Sequence, residues 1–358
     1  MKKTILLFGA LLCAGSLAWA QNNSTVNQIG ENITNVNQTG TNVSVVDQSG
    51  GASGEENEAN VTQSGSNTST IIQSDAVSNL ATVNQEDLGN TSTINQSGDN
   101  NDAAVNQLGP SSIINIADLN QSGDNNEARI HQIDGSFLNE AHINQSGDQN
   151  SASIDQNLSG SQFNYAGVDQ SGDRNSAFIE QLQSGGSNNA QINQSGEENG
   201  AEIHQNAFLN WNNIGTIDQS GSFNNASINQ SSDGTYFNFA DINQSGDVNM
   251  ASVDQLGEYN NAITQQSGSD NMATTAQNGF TNTALTFQSG DMNLSEIAQS
   301  EVNNEAIVNQ IGNNNTSTIN QGMDLNGAGN YAEVNQLSSG NVSNIMQSGN
   351  NTAIVTQQ

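Results

Sequence analysis

Cysteine, proline and basic side chains are nearly missing from this chain: 358 residues hold one Cys, one Pro and four Lys plus Arg. The cysteine, Cys13, lies in an apolar N-terminal run, so the rest of the chain has no disulfide and no cysteine-held metal. With 36 acids the formal charge is −32, which disfavours nucleic acid and anionic lipid surfaces as partners. Past Lys3 only Arg129 and Arg174 remain as strong bases. Aromatics make up 4%, too few for a conventional globular core, and composition alone points toward disorder. After Leu17 no stretch approaches the roughly 20 apolar residues that cross a bilayer, so no membrane insertion is expected.

The N-terminus has its own pattern. Met1-Lys2-Lys3 precedes an apolar run from Thr4 to Leu17, and Ala18-Trp19-Ala20 stands before Gln21. That is the order of a signal peptide, so residues 1–20 are expected to be removed between Ala20 and Gln21, leaving an exported repeat domain, 21–358. Leu12 is too bulky before Cys13 for a lipoprotein cleavage site. The sparse apolar residues that follow are placed in order. One phrase recurs: Asn101-x-Ala103-x-Val105-x-Gln107, Asn126-x-Ala128-x-Ile130-x-Gln132, Asn150-x-Ala152-x-Ile154-x-Gln156 and Asn224-x-Ala226-x-Ile228-x-Gln230.

Every specified residue falls on alternate positions, the period of a β-strand with one face defined. That face is expected to point inward, with Ala and Ile or Val as core. A glycine two residues after the Gln, as at Gly98, Gly123, Gly147, Gly172, Gly196, Gly221 and Gly246, supplies a turn needing positive φ or close backbone approach. The terminal glutamines include Gln96, Gln107, Gln121, Gln132, Gln145, Gln156, Gln170, Gln181, Gln194, Gln205, Gln219, Gln230, Gln244 and Gln255, within a series running from Gln28 to Gln357.

Mid-chain steps alternate short and long, which implies two strands per coil. The expected fold is all-β, a β-solenoid of stacked strand-turn-strand coils about 4.8 Å apart, some 14 coils in a rod of roughly 65 to 70 Å. Asn and Gln are then expected to bond to their own copies one layer away, forming ladders that satisfy buried amides. Pro110 follows a turn glycine, where no ladder bond is lost.

The spacing Gln96-x-Gly98-x-x-Asn101-x-Ala103-x-x-x-Gln107, repeated from Gln121 to Gln132, resembles the repeat of the curlins, subunits of bacterial curli amyloid fibres. The resemblance covers the chain from about Val26 onward. It implies an amyloid-competent fold, export through an outer-membrane channel, nucleated polymerisation with copies of itself at the cell surface, and a role in adhesion and biofilm. It also implies a minor nucleating partner. The curlin nucleator tends to end in a basic repeat, whereas this chain ends Thr352-Ala353-Ile354-Val355-Thr356-Gln357-Gln358, like a bulk subunit. The non-repeat secretion segment of curlins is reduced here to about Gln21 to Ser24.

Other readings compete. Repeats running to both ends, without atypical caps, favour a head-to-tail polymer over a monomeric solenoid adhesin. Asp124, Asp148, Asp173, Glu197 and Asp247 fall in one turn column, read as a solvated charged edge or as a row for divalent cations. Coils of this size also occur in polysaccharide-cleaving β-helices, but His131, His142, His204 and Arg129 sit at outward positions on scattered coils, so no catalytic site and no cofactor is expected. Phe137, Phe163, Tyr165, Phe208, Trp211, Phe223, Tyr236 and Phe237 are assigned to the longer connections, covering the ends of the core. Thr91-Ser92-Thr93 and Thr316-Ser317-Thr318 are too isolated for an ice-binding array.

Overall fold

A computed structural model describes residues 21–51, 54–157, 162–182, 186–206, 212–230, 236–322 and 329–358. Residues 1–20, with Ala20, and the aromatics Phe208 and Trp211 lie outside the described residues. Alternation of apolar and polar residues gives strands throughout. The first are β1 (Asn23–Ile29), β2 (Asn32–Gly40), β3 (Val43–Gly50), β4 (Asn57–Ala76), β5 (Leu80–Gln85), β6 (Leu88–Ser97), β7 (Asp102–Gln107), β8 (Ile116–Ser122), β9 (Glu127–Ile133) and β10 (Glu140–Ser146). Next come β11 (Ser151–Asn157), β12 (Tyr165–Asp173), β13 (Ser176–Glu180), β14 (Asn189–Glu197), β15 (Gly200–His204), β16 (Ile214–Ser222), β17 (Asn225–Asn229), β18 (Phe239–Asp247) and β19 (Met250–Glu258). The remainder are β20 (Asn261–Ser269), β21 (Met272–Phe280), β22 (Thr283–Ser289), β23 (Leu294–Val302), β24 (Glu305–Ile311), β25 (Thr316–Gly322), β26 (Tyr331–Gln336), β27 (Val342–Ser348) and β28 (Thr352–Gln357).

All pairings are parallel, the register shifts only where β4 meets β3 and β6, and from β5 onward each strand pairs with the next but one, as β10 does with β8 and β12. The long β4 contributes to both ladders: Asn57 pairs with Asn32 of β2, and Thr68 with Val43 of β3. The result is a two-sided parallel β-solenoid. A first ladder holds β1, β3, the second half of β4, then β6 and the even strands to β28. A second ladder holds β2, the first half of β4, then β5 and the odd strands to β27.

Between the ladders lies a thin core. Ala103, Val105, Ala128, Ile130, Ala152, Ile154, Ala226 and Ile228 are all buried. Each fully buried Ile contributes about 1.5 to 3 kcal/mol by leaving water. The core has two apolar clusters, one from Val46 to Ala262 and one from Ala284 to Ile345. Where they part, Thr264, Thr275 and Thr286 replace the aliphatic residue and are buried in its place.

Turn glycines have a double reason. Gly123 has φ +94°, and an added Cβ would lie 2.2 Å from the carbonyl oxygen of Gly147 in the next layer. No L side chain fits that gap. Gly98, Gly147, Gly172, Gly196, Gly221 and Gly246 repeat the arrangement, each with φ between +87° and +104°. Two positions later comes a left-handed non-glycine residue: Asn100, Asn125, Gln149, Arg174, Glu198, Phe223 or Val248.

The aromatics depart from expectation. Phe223 lies in a short glycine turn, and Tyr165 belongs to β12. Phe163, Phe223 and Phe237 are about half exposed, at 54%, 54% and 49%. The left-handed turn position throws these side chains outward, because the core ends are already closed by Asn and Gln. Two of them meet another ring: Phe163 meets Phe137 edge-on at 6.1 Å, and Phe237 lies nearly parallel to Tyr259 at 5.1 Å.

Candidate functional site: side-chain ladders and their open ends

Three kinds of polar side chain, Gln, Asn and Asp, form rows along the rod. In the first ladder Gln96 Nε2 donates to Gln121 Oε1, Gln121 to Gln145, Gln145 to Gln170, Gln170 to Gln194, Gln194 to Gln219 and Gln219 to Gln244, at 2.8 to 3.0 Å. In the second, Gln107 donates to Gln132, and the series passes through Gln156, Gln181, Gln205 and Gln230 to Gln255, at 2.8 to 2.9 Å. All are buried, so each satisfied carboxamide avoids a penalty of about 1 to 3 kcal/mol. Every donor points the same way along the axis.

Each amide also crosses the core. Gln96 Nε2 lies 2.9 Å from the Leu80 carbonyl and 3.0 Å from that of Asn101, both on the opposite ladder. A glutamine on one face thus sits between two successive strands of the other, and the faces are offset by half a layer. Periodicity shows which residues alternate but carries no signal for this cross-core bond.

Asparagine also forms a copy-to-copy ladder, Asn126 Nδ2 donating to Asn101 Oδ1 at 3.1 Å and Asn150 Nδ2 to Asn126 Oδ1 at 3.2 Å, and it bonds backbone besides. Asn101 Oδ1 accepts from the backbone N–H of Asn126 at 2.9 Å, and its amide donates to the Gly123 carbonyl at 2.8 Å. Asn126 donates likewise to Gly147, Asn150 to Gly172 and Asn224 to Gly246. Besides its own copies, its partners are backbone groups that otherwise would be buried without bonds.

The acidic turn column is a third row. Asp124 accepts from the N–H of Asp99 at 2.8 Å, Asp148 from Asp124 at 2.9 Å, Asp173 from Asp148 at 2.9 Å, and Asp247 from Ser222 at 3.0 Å. These carboxylates cap the backbone of the layer before. The Gly-Asp pair repeating at one turn is the signal in the sequence for this capping. Among the described residues no three His, Cys, Asp or Glu side chains gather to hold a metal ion.

The histidines lie on separate coils, as expected, but two of them, three layers apart, share one column. His131, Asp155, Glu180 and His204 follow one another in a single column of the second ladder, each paired with the next in register. His131 Nδ1 lies 2.9 Å from Asp155, and His204 Nδ1 3.0 Å from Glu180. On the other face His142 lies 3.3 Å from Asp118 and 2.7 Å from Glu140. Its hydrogen bond to Asp118 raises the imidazole pKa, and the same bond lowers that of Asp118. In-register stacking aligns these side chains because the repeat puts variable positions, like specified ones, above one another.

Among the described residues neither end of the rod is covered. β1 is exposed along its length, including Val26 at an inward position, and β28 has alternating half-covered and exposed residues. Gln28 and Gln38 donate up their ladders to Gln48 and Gln63. At the other end the last glutamines, Gln347 and Gln357, accept from Gln321 and Gln336.

Two stretches, 164–196 and 268–300, match the family model of the curlin-associated repeat. The chain thus carries curlin-associated repeats. The first stretch lies in coils with one long connection and the second in coils with two short turns, so the repeat is recognised in both settings. No curated protein matches the chain.

Proposed function

We propose that this curlin-repeat protein is a secreted structural subunit, rather than an enzyme, that polymerises head to tail into extracellular curli-like amyloid fibres serving adhesion and a biofilm matrix. The polarity of the ladders carries this reading. Strands are parallel and every ladder glutamine donates in one direction, so one end offers carboxamide acceptors and the other donors. Such ends complement each other and mismatch themselves. Each junction would form two strand pairings and two glutamine bonds identical to those inside the rod, and would cover Val26 and Val36 with further aliphatic side chains.

A nucleating subunit and an outer-membrane export channel belong to the same proposal, since a long acidic chain remains extended and soluble until seeded. Purified chain should polymerise after a lag, shortened by preformed seeds, into thioflavin-positive fibres with a reflection near 4.8 Å along the fibre axis. A chain that remains monomeric for days with seeds present would sink the reading. Loss of surface attachment on deleting the chain, restored by its re-expression, tests the adhesive role separately.

A further inference from the structure

Among the described residues the outermost strands, β1 and β28, belong to the same ladder, and for a rod bounded by these two strands this decides how two copies can meet. The solenoid climbs half a layer per strand. Gln48 of the first ladder lies 3.1 Å from the Ile33 carbonyl below it and 3.2 Å from the Asn57 carbonyl above it, both in the second ladder. Gln73 repeats this with Glu58 and Asn79, at 3.2 and 3.1 Å. The next vacant place after β28 is therefore on the second ladder, above β27.

An incoming copy presents β1 first. Set down in the same orientation, its β1 lies on β28, and its β2 follows half a layer higher on the second ladder. A hole one strand wide, about 4.8 Å, then separates that β2 from β27. The hole would leave a row of N–H and C=O groups without partners beside the core at every junction. Turned by half a revolution about the rod axis, the incoming β1 lies on β27 and its β2 on β28, and both ladders continue without a gap. The side chains accept this exchange because both faces carry the same inward phrase. Val26 and Gln28 then follow Ile345 and Gln347, and Val36 and Gln38 follow Val355 and Gln357.

We propose that successive copies in the fibre are related by a half-turn about the solenoid axis, so that the two faces of the rod change sides at every junction. The proposal rests on the head-to-tail reading above. Its consequence is a fibre with two equivalent sides: the column of His131 and His204 and the opposite column of His142 each occur on both flanks, in alternate subunits.

Paired cysteines test it in a chain of residues 21–358, which contains no cysteine. Asn27 points outward on β1, Met346 outward on β27 and Thr356 outward on β28, as their register partners Asp47, Asn320 and Asn335 show. The half-turn brings Asn27 of one copy about one layer from Met346 of the next, so N27C/M346C fibres should give a covalent ladder of multimers with a short thiol-to-thiol linker. N27C/T356C fibres should not, because those positions then lie on opposite faces. The reverse pattern, or fibres in which neither pair links, overturns the proposal. Failure to form fibres overturns the head-to-tail reading and this one with it. Helical reconstruction of unsubstituted fibres gives a second readout: a rise of about 70 Å with a rotation near a half-turn added to the rod's own twist, against a slightly longer rise without it.

Discussion

Between β8 and β18 a coil takes 24 or 25 residues, as measured from Gln121 to Gln145 and on to Gln170, whereas from β18 to β24 it takes 22, from Gln244 to Gln266 and on to Gln288. The wide coils have one glycine turn and one longer connection, and their central core position is Ile143, Val168, Ile192, Ile217 and Ile242 on one face. In the tight coils glycine turns occur at both edges, at Gly246, Gly257, Gly268 and Gly279, and the central position becomes Thr264, Thr275 and Thr286 in three successive strands, between the aliphatic Val253 and Ile297. Both tight turns are bonded layer to layer, Thr281 N–H to the Glu258 carbonyl at 3.0 Å and Met292 N–H to Ser269 at 2.9 Å. Short, fully bonded turns cost less ordering entropy than long connections. A coil built from them tolerates a weaker core.

This contrast can be broken at several points, from the largest effect downward. Ile192→Ala in a wide coil should cost about 3 to 4 kcal/mol, the transfer loss plus a cavity in a layer with nothing else to fill it. Thr275→Ala should cost under about 1 kcal/mol, and equal losses in denaturant melts would refute the division between the regions. Gly246→Ala, at the boundary, should cost about 3 kcal/mol, because its φ of +99° is unfavourable and the new Cβ would sit 2.2 Å from the Gly268 oxygen. Hydrogen exchange should show the loss on both sides of that turn.

Smaller changes sharpen the picture. Gln219→Leu leaves the Gln194 amide without its acceptor and the Gln244 oxygen without its donor, a loss of about 2 kcal/mol. In the tight coils the sign reverses: Thr264 Oγ1 is buried without a hydrogen-bond partner, so Thr264→Val should add about 1 kcal/mol. A lower melting temperature for that variant would show that the threonine stabilises its coil by some other contact.

The smallest effect is a dependence on pH, confined to the wide coils. His142 holds its proton more tightly when folded, through Asp118 and Glu140. Its contribution is complete below the ordinary histidine pKa of 6.5 and is lost as pH rises through the raised value. Asp118, with its lowered pKa, acts in the opposite sense, stabilising above the carboxylate range and losing that as pH falls. The melting temperature should therefore decline slightly as pH rises past the folded histidine value, and His142→Asn should flatten the decline.

Much of this architecture was legible without coordinates. Alternation from Asn101 to Gln107 defines an inward face, a spaced glycine ends it, and two step lengths mark two strands per coil. The destination of the aromatics was not legible, because Phe163, Phe223 and Phe237 are directed by a left-handed backbone two positions beyond the glycine or its equivalent, not by their hydrophobicity. Nor was the capping role of Asp124 and Asp148, whose N–H partners belong to another layer 24 or 25 residues away.

By itself the sequence determines what is local: a period of two, the turn that interrupts it, and the identity of residues that must share a face. Those follow from backbone sterics and side-chain polarity within a few residues. The tertiary structure alone decides the half-layer offset, the direction of the glutamine bonds and the ladder on which each end lies. They arise where amides meet carbonyls across the core, between segments that only stacking brings together.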